Sequence, residues 1–124
     1  MIVLLDTDVA IEILRARNQD ILSKWSTLVA SGEAVIYSPV TAAEIWAGAL
    51  PQEHQAISIF FRPIGCVAVD YETGRLAGEL LRRYARSHNL EIADALIAAT
   101  AFQQRASLWT RNRKHYPMAG LTFY

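Results

Sequence analysis

Four short runs of apolar, mostly branched residues punctuate the chain, at Ile2–Leu5, Ala34–Tyr37, 67–69 and Ser107–Trp109. Each is continuous rather than alternating and is bounded by polar or turn-forming residues, the pattern of a strand buried on both faces of a parallel sheet. Residues 121–123 add a candidate edge strand. Between these runs the apolar positions fall at helical spacing. Residues 8–15 carry Val9, Ile11, Ile13 and Leu14, and residues 19–31 carry Ile21, Leu22, Trp25, Leu28 and Val29 before Gly32 stops the helix. A helix over 41–50 is closed by Pro51, and a shorter one around Ala56, Ile57, Phe60 and Phe61 is ended by Pro63. Over 71–87, Leu76, Leu80 and Tyr84 share one face with Ala77, Leu81 and Ala85, while Arg75, Glu79, Arg82, Arg83 and Arg86 occupy the other. Pairing of Glu79 with Arg82 or Arg83 makes that second face a solvated one. A last helix over 91–105 is so apolar from Ala95 to Phe102 that it should lie between the sheet and its neighbours.

Strands alternating with helices predict an α/β three-layer sandwich, with a mainly parallel four- to five-stranded sheet flanked by helices. At 124 residues, with neither repeat nor linker, one domain over 1–124 is expected. In such sheets ligands bind beyond the carboxyl ends of the strands. That edge is where chemistry should be sought.

Composition narrows the function classes. A chain 52% hydrophobic and 19% charged can bury a core and is not a disordered segment. Twelve basic and twelve acidic residues leave no global charge to draw it to nucleic acid or membrane, but the halves differ. Residues 1–62 hold 4 basic and 7 acidic side chains, net −3, and residues 63–124 hold 8 and 5, net +3. An acidic pocket beside a polyanion-binding rim fits that asymmetry, as do scattered ion pairs. Cys66 is alone, so no internal disulfide forms and a reducing cytoplasm is expected. The opening apolar run is too short to span a bilayer, and no membrane association is expected.

Three acids stand near the predicted ligand edge. Asp6 follows the first strand directly, Asp94 lies in the first turn of the last long helix, and Glu44 ends the stretch Thr41-Ala-Ala-Glu44. Helix capping explains each one separately: Asp6 as an N-cap, Glu44 in a capping box, Asp94 through the helix dipole. Three independent caps need not converge, however. If they do, their mutual repulsion calls for a cation, and an all-oxygen donor set suits Mg²⁺ or Mn²⁺ better than zinc. Asn112, in Thr110-Arg-Asn112-Arg-Lys-His115, places an amide at the same edge, where an ordinary turn residue would also fit.

The chain resembles the PIN-domain family, and within it the VapC-type ribonuclease toxins of toxin–antitoxin pairs. The resemblance is carried by Leu4-Leu-Asp-Thr-Asp8, Ala43-Glu44-Ile-Trp-Ala-Gly48, Ala93-Asp94-Ala-Leu-Ile-Ala-Ala-Thr100 and Thr110-Arg-Asn112, and it spans nearly the whole length. It implies a metal-dependent endoribonuclease in which Asp6, Glu44 and Asp94 bind Mg²⁺ or Mn²⁺. Asn112 joins them as the fourth catalytic position, and cleavage leaves a 5′-phosphate and a 3′-hydroxyl. Asn112 departs from the pattern, since many relatives carry a fourth acid there, so weaker metal binding is expected. Asp8 ranks as supporting only. Thr7 and Thr110 are expected to steady the acids, and with Arg111, Arg113 and Lys114 to meet the substrate. No role is assigned to His54, His88 or His115. The resemblance also implies an antitoxin partner that covers the site, contact with DNA only through that antitoxin, and a homodimer. Trp46, Leu50, Ile57, Phe60 and Phe61 offer an apolar docking surface, or else core.

Two rival readings remain at this point. A receiver-type phospho-accepting domain would use Asp6 with Asp8 as its metal pair, Asp70 after residues 67–69 as acceptor, and Thr110 with Lys114 as switch residues. A noncatalytic PIN-like binding module would keep the fold without the chemistry.

Overall fold

The first strand sets the frame for everything else. In the computed structural model, which describes residues 1–124, β1 (Ile2–Leu5) pairs in parallel with β2 (Ala34–Tyr37) on one side and β4 (Ser107–Trp109) on the other. A two-residue strand, β3 (Gly65–Cys66), adds to β2, so the sheet runs β3-β2-β1-β4 and is wholly parallel. Val3, Leu4 and Leu5 are completely buried, which is why β1 reads as a continuous apolar run.

Alternation along β1 sends its side chains into two cores. Val3 and Leu5 join Trp109, with Val9 and Ile13 of α1 (Thr7–Arg15) and Ile21 and Leu28 of α2 (Gln19–Ser31). Leu4 points the other way, with Leu108, into α5 (Tyr71–His88) and α6 (Ile92–Gln104). The expected three layers are therefore present. Alanines at 95, 98, 99 and 101 are fully buried, and their small side chains let α6 lie close to both α5 and the sheet. Replacing Ile97, at the centre of this core, with alanine should cost about 2–5 kcal/mol.

Several elements differ from the sequence expectation. The third strand lies at residues 65–66 and not at 67–69, because β2 ends at Tyr37 where Ser38 begins to cap a helix. Only Gly65 and Cys66 face paired β2 backbone, with Val67 N–H adding one last bond to the Tyr37 carbonyl at 3.0 Å. The expected strand at 121–123 contracts to a single bridge between Leu108 and Phe123. The helix expected from Thr41 starts earlier, as α3 (Pro39–Ala47): Ser38 Oγ accepts the Val40 N–H at 3.1 Å and Pro39 takes the first helical position. Glu44 thus lies within α3, and the Thr41–Glu44 capping box does not form. A 3₁₀ turn (Pro51–Glu53) leads into α4 (His54–Phe61).

On α5, Glu79 pairs with Arg75 at 2.7 Å and not with Arg82 or Arg83. Asp70 caps α5, accepting the Thr73 N–H at 3.0 Å. It stands beyond an irregular segment, not at the end of a strand, so the acceptor position that a receiver domain needs is missing. No helix is long and apolar enough to cross a membrane.

Candidate active site

Asp6 closes β1 and opens α1. Its N–H still bonds the Trp109 carbonyl at 3.0 Å, and its side chain is the N-cap of α1, with Oδ1 accepting the Thr7 N–H at 2.8 Å. Capping does not exhaust this carboxylate. Oδ2 accepts the Thr110 hydroxyl at 2.8 Å, delivered from the end of β4, and the Tyr116 hydroxyl at 2.9 Å. Three donors compensate a carboxylate that is only 7% exposed.

Asp94 enters from the first turn of α6, with Oδ1 3.5 Å from the same Tyr116 oxygen. Burial raises its pKa, the backbone N–H that bonds it and His115 oppose the rise, and the charge on Asp6 adds to it. Glu44 arrives from α3: Thr7 Oγ1 donates to Glu44 Oε1 at 2.7 Å and lies 3.0 Å from the buried Thr41 hydroxyl. The structure therefore links Asp6 to Asp94 through Tyr116, and ties Glu44 to the residue after Asp6.

Asp8, ranked as supporting from the sequence, is more deeply involved. Its Oδ2 accepts the Arg111 N–H at 3.0 Å, which fastens the segment after β4 to α1. Its Oδ1 is buried without a hydrogen-bond partner. Burial first, then the charge on Asp6, push its pKa up to about 6. Tyr116 is pushed up as well, by burial and then by Asp6 and Asp94, so it stays a protonated donor. The cluster is thus short of positive charge.

This donor set fits a hard divalent cation. The available atoms are carboxylate oxygens of Asp6, Asp94 and Glu44 with the orphaned Asp8 Oδ1, and neither cysteine nor histidine competes among them. As the side chains stand, no group of three or more carboxylate, imidazole or thiol ligands encloses a single point.

The rim sorts the remaining candidates. Asn112 is exposed, and its contribution is a backbone N–H to Thr110 Oγ1 at 3.1 Å; its amide group has no partner. Arg111 pairs with Glu12 at 3.1 Å, and Arg113 reaches the Tyr124 carbonyl at 3.3 Å and stacks over Phe123. Lys114 is exposed and makes no ion pair. Of the three basic residues expected to meet phosphate, two are engaged within the fold. Sequence reasoning missed Tyr116 and Glu12, since an isolated tyrosine after a basic cluster and a helix-surface glutamate give no spacing signal.

Beside Glu44 a groove of about 350 Å³ runs between α1, α3 and α4, lined by Ile11, Leu14, Ile45, Ala56 and Ile57, with Arg15 and Glu53 at its sides. The apolar residues expected to dock a partner divide here. Ile57 and Phe61 are buried and Phe60 is partly buried, whereas Trp46 and Leu50 are exposed.

Comparison with known proteins identifies the family of the chain. The PIN domain family model matches residues 3–121. Ribonuclease VapC19 of Mycobacterium tuberculosis is 34% identical over 116 residues, covering 93% of this chain and 92% of the relative. Ribonuclease VapC10 of the same species is 33% identical over 121 residues, 94% and 86% of the two chains. Among solved structures, VapBC2 from Rickettsia felis, bound to a DNA fragment from its promoter, superposes with a TM-score of 0.82 at 23% identity, covering 100% and 98% of the two chains. DNA-bound VapBC from Salmonella typhimurium gives 0.83 at 17%, covering 100% and 97%. These two structural likenesses concern the fold.

Proposed function

We propose, from the premise that this chain belongs to the PIN-domain family and within it to the VapC ribonucleases, that it is a divalent-metal-dependent endoribonuclease acting as the toxin of a toxin–antitoxin pair. Residues 1–124 form the single catalytic unit in this reading. The observation that carries it is the gathering of Asp6, Asp94 and Glu44, from β1, α6 and α3, at the carboxyl edge of the parallel sheet through Tyr116 and Thr7.

Asp6 and Asp94 would hold Mg²⁺ or Mn²⁺, with Glu44 assisting. Such a cation would supply positive charge for the phosphoryl oxygens and would lower the pKa of a water for in-line attack on an RNA phosphodiester. The chain's own residues prepare that geometry. Thr110 and the Thr7 amide fix both oxygens of Asp6, and the Thr7 hydroxyl aims Glu44 inward. Asp8 holds the Arg111 backbone, which keeps Asn112 and Lys114 at the rim. Lys114 is the freest cation for phosphate contact, while Arg111 and Arg113 exchange intramolecular partners for substrate oxygens.

The VapBC complexes that share this fold, two of them DNA-bound, support an antitoxin partner that meets DNA on the pair's behalf. The groove beside Glu44 is the surface we assign to it. Trp46 and Leu50 extend that surface or serve a homodimer. RNA cleavage is to be compared for the wild type and Asp94→Asn, with Mg²⁺ and after chelation. Loss of a carboxylate that holds the metal predicts cleavage slower by at least about tenfold to a hundredfold, the range seen for outer-shell partners. Equal cleavage in all four conditions overturns the reading.

A further inference from the structure

We infer that the Tyr116 hydroxyl is a built-in placeholder for the cation, holding Asp6 and Asp94 together in the ion-free protein and yielding its place on Asp6 when an ion binds. The inference rests on the metal-site reading above and assigns a positioning role to a residue outside the acidic set.

Lone-pair accounting at Asp6 leads to it. A carboxylate oxygen offers two lone pairs. Both on Oδ2 are taken, by the Thr110 hydroxyl at 2.8 Å and the Tyr116 hydroxyl at 2.9 Å, and Oδ1 already accepts the Thr7 N–H at 2.8 Å. Tyr116 donates to Asp6, and its oxygen also stands 3.5 Å from Asp94 Oδ1, so the hydroxyl lies against both carboxylates.

The tyrosine cannot simply swing clear. It is 3% exposed, and its ring belongs to the core that includes Leu4, Leu108 and Met118, so the oxygen stays near the site whatever is bound. A phenylalanine would fill the same volume. The hydroxyl is thus an addition to the packing, and it has found the two carboxylates whose repulsion it damps. A cation does the same task more strongly. On binding it would displace the Tyr116 proton from Asp6, and the hydroxyl would lose that bond.

Linkage gives this a sign. A bond present without the ion and broken with it stabilises only the ion-free protein, so removing it tightens ion binding by the same factor. For a hydrogen bond to a charged acceptor, that factor is about tenfold. A tyrosine that merely braces the fold would cost stability equally in both states and leave affinity unchanged.

The test is calorimetric titration of Mn²⁺ into the full chain as wild type, Tyr116→Phe and Asp94→Asn, with melting of each followed without and with saturating Mn²⁺. Tyr116→Phe should bind Mn²⁺ about tenfold more tightly, melt lower than wild type without metal, and match it when saturated. Unchanged or weaker binding by Tyr116→Phe, or a melting deficit that persists at saturation, overturns the placeholder role. If wild type still binds and Asp94→Asn does not, the metal site survives that failure. If wild type takes up no Mn²⁺, or Asp94→Asn binds as well as wild type, the metal-site reading falls and the placeholder falls with it.

Discussion

At the scale of single residues, the site depends on hydroxyls as much as on acids. Thr110 donates to Asp6 and accepts the Asn112 N–H, so one side chain both orients a buried carboxylate and shapes the loop that carries Asn112. Thr110→Val keeps the branched shape and removes both bonds. It should destabilise the protein by about 1–3 kcal/mol, since a buried charged acceptor loses a donor, and weaken Mn²⁺ binding; denaturant titration and calorimetry check the two effects separately. Asp6 and Asp94 stand out in the chain, because one follows an apolar strand and the other opens an apolar helix, whereas Glu44 lies inside α3. The partners of these acids do not stand out. Tyr116 lies 110 positions from Asp6, and nothing in local sequence says that the two side chains meet. Asp8 carries a feature hidden from the sequence for a similar reason: a buried oxygen without a partner is a property of packing and not of spacing.

At the scale of elements, periodicity placed six helices and three of the four strands with small errors at their ends. Those errors had local causes. Ser38 with Pro39 is a stronger start signal than Thr41, since the serine supplies the cap and the proline needs no hydrogen-bond partner at the first helical position. The earlier start moves Glu44 from a capping position into the body of α3, where its carboxylate is free to face Thr7. A capping explanation for Glu44 is thereby removed, which strengthens its candidacy for the site. Ser38→Ala should cost about 1 kcal/mol, within the range for lost N-caps, read as a lower denaturant midpoint at unchanged slope. β3 was misplaced because the residues at 67–69 look more strand-like than Gly65 and Cys66. Pairing is decided by where β2 still offers a free edge, and that edge ends at Tyr37.

At the scale of the whole molecule, the charge asymmetry between the two halves of the sequence has a spatial meaning in part. Asp6, Asp8 and Glu44 come from the acidic half, and Arg111, Arg113 and Lys114 from the basic half, yet the two sets meet at one sheet edge because β4 lies beside β1. The sequence could not show that Arg111 and Arg113 already have partners, because Glu12 and Tyr124 reach them only in the folded chain. Lys114 therefore becomes the cation whose loss should be most visible. Lys114→Gln should weaken RNA binding and reduce the slope of log affinity against log salt by about 0.7, the value for one phosphate contact on a single strand; fluorescence anisotropy across a salt series measures it. An unchanged slope assigns the phosphate contact elsewhere.

We propose that acids from β1 and α6, assisted from α3, form one cation site. Anomalous diffraction from a crystal soaked in Mn²⁺ tests it most directly. The predicted result is a single strong peak between Asp6 and Asp94, with Glu44 reaching it through an ordered water. A well-soaked crystal with no peak at the β1 edge, or with Mn²⁺ bound only elsewhere on the surface, would contradict the account.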